Sequence, residues 1–164
     1  MMPQTVATLD AGPARRCARC HRVLPHRTLR LETTREVDGV VFEGHLAATE
    51  CTGCGLVQGE HGADRRFTLE VARLLADTGQ SSGEAFRFLR KAVGLRATEL
   101  AGFLNLAPET ISRWETNKRA VDRAALALLG NAVRDTLEGR TTTLDGLRAL
   151  TAPRALTGRI LVGD

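Results

Sequence analysis

Apolar and polar positions of this chain follow two different patterns. In the segment TLRLETTREVDGVVFEGHLAAT, an Asp38-Gly39 pair separates two stretches whose apolar residues can meet across paired strands. An Asp-Gly pair favours a two-residue type I′ turn, so the segment predicts a β-hairpin. The turn implies three apolar cross-strand pairs: Val37 with Val40, Leu31 with Leu46, and Leu29 with Ala48.

The C-terminal half has apolar residues at helical spacing instead. Five segments carry this spacing: FTLEVARLLADTG, SSGEAFRFLRKAVG, RATELAGFLN, LAPETISRWETN and VDRAALALLGNAVRDTLEG. In the second segment, Ser81 and Glu84 stand at capping-box spacing, and Phe86, Leu89 and Val93 form the inward stripe. The third and fourth segments predict two short helices with almost no residues between them.

The second of these short helices has an apolar back and a polar front. Ile111 and Trp114 lie three residues apart and are expected to share the buried face with Leu106. Four polar residues then face outward: Glu109, Ser112, Arg113 and Thr116. A helix of this kind fits the major groove of DNA. An ordinary amphipathic helix is the alternative, but it does not account for two consecutive short helices or for Lys118 and Arg119 directly after the second.

Composition limits the class of protein. A length of 164 residues suits one ordinary domain or two small ones, and 43% hydrophobic residues suit a packed core. A net charge of +4 allows a polyanionic partner without requiring one. No apolar run approaches the roughly 18–20 residues that a membrane span needs. The first 15 residues lack a signal-peptide layout and are expected to form a flexible tail, so a reducing cytoplasm is the expected compartment and no membrane partner is expected.

The four cysteines form two Cys-x-x-Cys pairs about thirty residues apart. Disulfides are rare in a reducing cytoplasm, so this spacing predicts one structural Zn²⁺ per chain. The expected ligands are Cys17, Cys20, Cys51 and Cys54. Four thiolates complete a tetrahedron, which argues against a catalytic zinc. Two redox motifs or a pair of disulfides are the alternatives, and neither explains the hairpin that returns Cys51 to Cys20.

Other polar residues of this part are expected at the surface. His21, His26 and His45 are in principle zinc ligands, but four thiolates leave them no role, so surface positions are predicted. Six arginines and no acidic residue lie between Arg15 and Arg30. Residues 1–67 as a whole contain nine Arg and eight Asp or Glu. This near balance favours a solvated basic edge or a protein-binding face, with RNA binding as a third hypothesis.

These patterns together predict an α+β protein with a small N-terminal zinc-bound β-hairpin domain and an all-α C-terminal domain. The predicted divisions are a tail over 1–15, the zinc domain over 16–56, a glycine-bearing linker over 57–66, the helical domain over 67–138 and a C-terminal extension over 139–164. The last apolar run of the C-terminal extension, residues 160–162, has two candidate roles, a short strand or an interface segment. No nucleophile–base pair or carboxylate dyad stands out, so an enzyme is not expected.

The segment FLRKAVGLRATELAGFLNLAPETISRWETNKR resembles the Cro/repressor class of helix-turn-helix DNA-binding domains. The resemblance covers roughly residues 84–130. Arg96 and Ala107 stand where the family usually has capping Ser or Thr, and each lost cap costs about 1 kcal/mol. Asn117 stands where the family commonly has glycine, which is acceptable because asparagine tolerates the left-handed conformation. The resemblance also implies a buried ion pair between Arg90 and Glu115.

The resemblance places DNA contacts on and around the second short helix. Arg113 and Glu109 are expected to read bases, because arginine can grip guanine and glutamate can accept from cytosine. Arg96, Lys118 and Arg119 are expected to contact phosphates. The complete predicted DNA-binding set is Arg96, Ala97, Glu109, Thr110, Ser112, Arg113, Lys118 and Arg119.

The combination of two Cys-x-x-Cys pairs with a repressor-type domain resembles the MqsA-type antitoxins of bacteria. That resemblance implies a structural zinc domain that binds a toxin, and a C-terminal domain that dimerises and represses its own operon at a palindromic operator in double-stranded DNA. The predicted function is therefore a homodimeric DNA-binding regulator and antitoxin, with a cognate toxin as a further candidate partner. Two alternatives stay open: a stand-alone regulator, and a module that mainly neutralises a partner enzyme.

Overall fold

The computed structural model describes residues 5–153, with side chains from residue 12 onward. The predicted α+β class is confirmed, because an antiparallel sheet precedes a group of helices. The chain divides into two compact units, Met1–Gln80 and Ser81–Asp164, called here the N-terminal and C-terminal units. The predicted strand or interface segment at residues 160–162 lies outside the described residues.

The N-terminal unit contains four antiparallel strands in the order of the chain. They are β1 (Thr5–Arg16), β2 (Val23–Val37), β3 (Val40–Cys51) and β4 (Val57–Gly59). The predicted hairpin is the β2–β3 pair, and all three predicted cross-strand pairs occur in it. Asp38 and Gly39 have φ values of 52° and 73°. Positive φ at both central residues is what a type I′ turn requires.

Strand β1 occupies most of the segment for which the sequence predicts a flexible tail. It pairs antiparallel with β2 from Thr5 opposite Leu31 to Arg16 opposite Val23, with several irregularities in register. Without β1, the outer edge of β2 would present unpaired backbone N–H and C=O groups, which pairing satisfies. This long-range pairing leaves no local signal in a segment that contains Gly12 and Pro13.

Helix α1 (Ala63–Asp77) contacts β3 and belongs to the N-terminal unit. The Phe67 ring lies so close to Gly44 that a Cβ at that glycine would overlap it. The buried residues of α1 are Leu69, Val71, Ala72 and Leu75. The unit boundary therefore differs from the predicted one, because β4 and the start of α1 occupy the predicted linker over 57–66.

The C-terminal unit contains five helices within its described part. They are α2 (Gly83–Ala92), α3 (Ala97–Phe103), α4 (Pro108–Glu115), α5 (Arg123–Leu137) and α6 (Thr142–Thr151). The predicted inward stripe of α2 is buried. The cap of α2 is Ser82, whose hydroxyl accepts from the Ala85 N–H, and the prediction of Ser81 was wrong by one residue.

Leu106 is 37% exposed, so the prediction that it shares the buried face of Ile111 and Trp114 was wrong. It lies in the turn between α3 and α4, directly after Asn105, whose φ is 51°. Its N–H donates to the Ala101 carbonyl oxygen at 2.9 Å. The backbone of Leu106 thus closes the turn, while its side chain stays at the surface.

Helix α6 lies in the predicted C-terminal extension and contacts α3 and α5. Its buried residues are Leu144 and Leu147. At its first turn, one carboxylate oxygen of Asp135 accepts from the Thr143 N–H at 2.8 Å and from the Thr143 hydroxyl at 2.7 Å. The described extension is therefore part of the core of this unit.

Candidate functional site

The four cysteines are brought together where β1, β2 and β3 begin or end. All four sulfurs lie within 4.8 Å of one another. Cys17 Sγ lies 3.6 Å from Cys54 Sγ, and Cys20 Sγ lies 3.9 Å from Cys51 Sγ. A tetrahedral zinc with Zn–S bonds of about 2.3 Å needs sulfurs about 3.8 Å apart. All four are free thiols, and their spacing fits a closed Cys₄ zinc site.

The two cysteine pairs form knuckles with the same backbone pattern. The Cys17 N–H donates to the Arg22 carbonyl oxygen at 3.0 Å, and the His21 N–H donates back to the Cys17 carbonyl oxygen at 3.0 Å. The second knuckle repeats both bonds, from Cys51 to Leu56 at 3.0 Å and from Gly55 to Cys51 at 2.9 Å. This repetition presents both pairs of sulfurs to one point.

Each knuckle requires a left-handed residue directly after its second cysteine. His21 has a φ of 56° and Gly55 a φ of 67°. Glycine adopts this conformation without strain, and histidine is among the residues that tolerate it better than most. This position was not predicted from the sequence, although the glycine after the second Cys-x-x-Cys is a signal for it.

The hydrogen-bond network separates the pKa values of the cysteine thiols. The backbone N–H of Cys20 is the largest influence on Cys17 and lowers its pKa to about 6. For Cys54, the backbone N–H of Leu56 lowers the pKa, but burial and the three neighbouring sulfurs outweigh it and raise the pKa to about 11. One thiolate therefore forms readily, whereas four adjacent thiolates require a cation.

Two of the three nearby histidines lie at the surface as predicted, and one does not. His21 and His45 are exposed. His26 is only 4% exposed, and its Nδ1 lies 2.9 Å from the Leu24 carbonyl oxygen, so the surface prediction for His26 was wrong. It pairs with Cys51 in the β2–β3 register, where the sheet meets the second knuckle and leaves little room for solvent.

In the C-terminal unit, α3 and α4 begin at the predicted residues that lack capping hydroxyls, Arg96 and Ala107. At α3 the loss is partly offset, because Glu99 accepts from the Arg96 N–H at 2.7 Å. The Arg96 guanidinium also contacts this carboxylate, and these contacts lower the pKa of Glu99. At α4, Pro108 occupies the first helical position, where its fixed φ favours the helix.

The back of α4 is fixed by a bidentate ion pair. Arg90 Nε donates to Glu115 Oε1 at 2.6 Å, and a terminal guanidinium nitrogen donates to Glu115 Oε2 at 3.1 Å. The remaining terminal nitrogen donates to the Leu95 carbonyl oxygen at 2.6 Å. Arg90 is 7% exposed, so the buried pair implied by the repressor resemblance is confirmed.

The start of α2 packs tightly against the end of α4. The Phe86 and Trp114 rings meet edge to face with centroids 5.6 Å apart. A Cβ at Gly83 would overlap the Trp114 carbonyl oxygen, so only glycine fits there. The Gly83 N–H donates to Asn117 Oδ1 at 2.7 Å, and Asn117 has a φ of 57°. Asn117 therefore takes the left-handed conformation expected from the sequence and adds a contact that the sequence did not reveal.

The outward side of α4 and the residues around it carry the predicted DNA-binding set. Ala97 and Thr110 are half-buried. The exposed members are Arg96, Glu109, Ser112, Arg113, Lys118 and Arg119. Within the described part of the chain, Arg113, Lys118 and Arg119 form no ion pair, whereas Arg96 pairs with Glu99. Their free guanidinium and ammonium groups are available to an anionic partner.

Two short helices, an intervening left-handed Asn105 and an exposed polar front form one recognisable arrangement. Residues 86–132 match a family model described as helix-turn-helix. A helix-turn-helix domain implies sequence-specific DNA binding and points to a regulator. No curated protein and no solved structure is significantly similar to the chain. None of the helices between residues 5 and 153 is long and apolar enough to cross a membrane.

Proposed function

We propose that the protein is a zinc-stabilised, dimeric transcriptional regulator that binds a palindromic operator. The observation that carries the proposal is the α4 helix of the helix-turn-helix domain. Its buried face is fixed by Ile111, Trp114 and the Arg90–Glu115 pair, and its exposed face is polar and cationic. Rigid support of this kind is what base readout requires, because hydrogen bonds to base edges tolerate little displacement.

Different side chains perform different parts of this binding. Arg113 reads guanine through two parallel hydrogen bonds, and Glu109 accepts from cytosine on the same groove. Arg96, Lys118 and Arg119 contact phosphates and set the register. Arg96 exchanges its contact with Glu99 for one with the duplex. Zinc on the four cysteines has a structural role and no catalytic role, because it holds the two knuckles together.

The repressed operon is the protein's own, and the protein acts as the antitoxin of a type II toxin–antitoxin system. The resemblance of the Cys₄ unit plus helix-turn-helix arrangement to MqsA-type antitoxins supports this part of the proposal. A stand-alone regulator is the alternative for the same DNA-binding surface. Co-purification with the product of an adjacent small reading frame separates the two, because an antitoxin must bind that product and restore growth when it is expressed.

Footprinting on the DNA upstream of the protein's own reading frame tests the DNA-binding proposal. The expected result is protection of two related half-sites with centres about 10–10.5 base pairs apart, or a multiple of that spacing. Protection without sequence preference, or no protection at any protein concentration tested, would contradict the DNA-binding proposal. The dimer is tested in the same samples by sedimentation.

A further inference from the structure

Five arginines lie at the end of the sheet that carries the cysteine cluster. These knuckle arginines, all exposed, are Arg15, Arg16, Arg19, Arg22 and Arg27. Arg15 donates to the Thr49 hydroxyl, and Arg16 donates to the His21 carbonyl oxygen at 3.0 Å. The side chains of the other three have no hydrogen-bond or ion-pair partner in the described part of the chain. Their charge is therefore open to a binding partner.

The carboxylates of the N-terminal unit lie away from this end. Four of them stand on the hairpin towards its tip: Glu32, Glu36, Asp38 and Glu43. Glu60 and Asp64 lie at the start of α1. Among the described side chains, Glu50 is the one carboxylate at the knuckle end, and it stands opposite Arg27 without forming an ion pair. The described part of the unit thus has a basic end and an acidic end.

Zinc does not remove this excess of positive charge. Four thiolates on one Zn²⁺ leave about two negative charges, and Glu50 adds one more. Five guanidinium groups, which stay protonated at any physiological pH, outnumber them. Arginine also matches phosphate with two parallel hydrogen bonds, so the chemistry that fits this end is a row of phosphates.

The aromatic residues decide which polyanion fits. Proteins that bind single strands without sequence preference stack the bases on exposed aromatic rings. The chain has no tyrosine, and its one tryptophan is buried in the other unit. The phenylalanines of this unit are half-buried, and Phe67 lies under Arg35 at 5.9 Å. A charged surface without stacking rings is suited to the outside of a duplex, where bases stay stacked on one another.

We infer that the knuckle arginines form a second, sequence-independent phosphate-binding surface for duplex DNA. This inference rests on the proposed DNA binding of the C-terminal unit, because a chain that holds one duplex presents its other unit to the same duplex at high effective concentration. The N-terminal unit then increases the affinity of the protein for duplex DNA of any sequence and does not contribute to sequence specificity.

The test measures affinity of the full-length, zinc-loaded protein for a scrambled duplex over a series of salt concentrations. Arg19→Gln/Arg22→Gln removes two exposed, unpartnered charges of the first knuckle. Arg65→Gln/Arg66→Gln is the matched control, since it removes two exposed charges of α1 in the same unit. Each lost phosphate contact lowers the slope of log K against log salt by about 0.9. A decrease of about one to two units is expected for the first variant and little change for the control.

Three results would overturn the inference. They are an unchanged slope for the first variant, an equal decrease in both variants, or an effect confined to single-stranded RNA of the same length. Circular dichroism and zinc content of both variants show whether they are folded. Failure of sequence-specific binding by the C-terminal unit is distinguishable, because it would remove the preference for promoter over scrambled duplex while the effect of Arg19 and Arg22 on the slope persisted.

Discussion

Glu115 ends helix α4 and joins it to the rest of its unit. Its carboxylate accepts two hydrogen bonds from Arg90, and Arg87 lies 3.9 Å away on its other side. The Glu115 side chain is 12% exposed and that of Arg90 is 8% exposed. A charged group that is buried to this extent is tolerated only while its partner is present, because water does not replace the lost contact.

Glu115→Ala is therefore expected to destabilise the C-terminal unit by about 3–5 kcal/mol, since Arg90 is left charged, buried and unpaired. Glu109→Ala is the control, because it removes the same carboxylate from the exposed side of the same helix. Its expected effect is within about 0.5 kcal/mol. Thermal and denaturant unfolding measure both. Equal melting temperatures would show that the pair is not a stabilising contact.

The two knuckles offer a second prediction from the left-handed residue that each contains. His21→Gly removes about 1–2 kcal/mol of backbone strain. Glycine also increases the entropy cost of folding by about 0.5–1 kcal/mol, so a small net stabilisation is expected. Gly55→Ala at the equivalent position is expected to destabilise the unit by about 1 kcal/mol. Chelator titration of the zinc-loaded variants compares them. Opposite signs from those expected would contradict the equivalence of the knuckles.

At the scale of elements, α6 is held by one carboxylate of α5. Asp135 accepts from the Thr143 N–H and hydroxyl and pairs with Arg140. The Thr143 hydroxyl is the largest influence, and together these contacts lower the pKa of Asp135. A carboxyl group whose pKa is lower in the folded state stabilises the fold above its ordinary pKa, and that contribution is lost as pH falls through the folded value.

Asp135→Ala is expected to lower the melting temperature of the C-terminal unit by several degrees at neutral pH, because α6 loses the acceptor for its first turn. The difference from wild type should shrink as pH falls below the ordinary carboxyl pKa. Glu138→Ala serves as the control, since Glu138 also pairs with Arg140 but is exposed. A pH-independent difference would contradict the role of the charged carboxylate.

The elements that the sequence predicted well are those with local signals. The Asp38-Gly39 turn fixes its own φ values, and the cysteine spacing fixes the metal chemistry. Strand β1 was missed because pairing with β2 depends on residues far along the chain. The place of α1 was missed for the same reason, since only Gly44 leaves room for Phe67. The Asn117 contact with Gly83 likewise joins residues that no local pattern relates.

At the scale of the whole molecule, the cysteine cluster supports one unit and not the other. The four sulfurs join the ends of β1, β2 and β3, whereas the core of the C-terminal unit consists of apolar residues around Phe86 and Leu100. A metal site that forms only in the folded chain contributes its binding free energy to folding. Loss of metal is thus expected to affect the two units differently.

Cys51→Ser is expected to unfold the N-terminal unit, while residues 81–153 keep their helices and their DNA binding. Cys51 is 1% exposed, so the serine hydroxyl would also be buried beside the remaining thiols. Wild-type protein should contain one zinc per chain and release it at low pH, because protonation of the thiolates competes with the metal. Metal analysis and far-ultraviolet circular dichroism measure this. A folded, reduced protein without zinc would contradict the Cys₄ assignment.

The most direct test of the central claim compares Arg113→Ala with Lys118→Ala on operator and scrambled DNA. If Arg113 reads a base, its loss costs about 1–3 kcal/mol on the operator and relaxes the preference at one position of each half-site. Loss of Lys118 should weaken both duplexes alike and lower the salt slope by about one unit. An Arg113→Ala protein that loses affinity evenly across all sequences would show that this arginine contacts phosphate and that α4 does not read the operator through it.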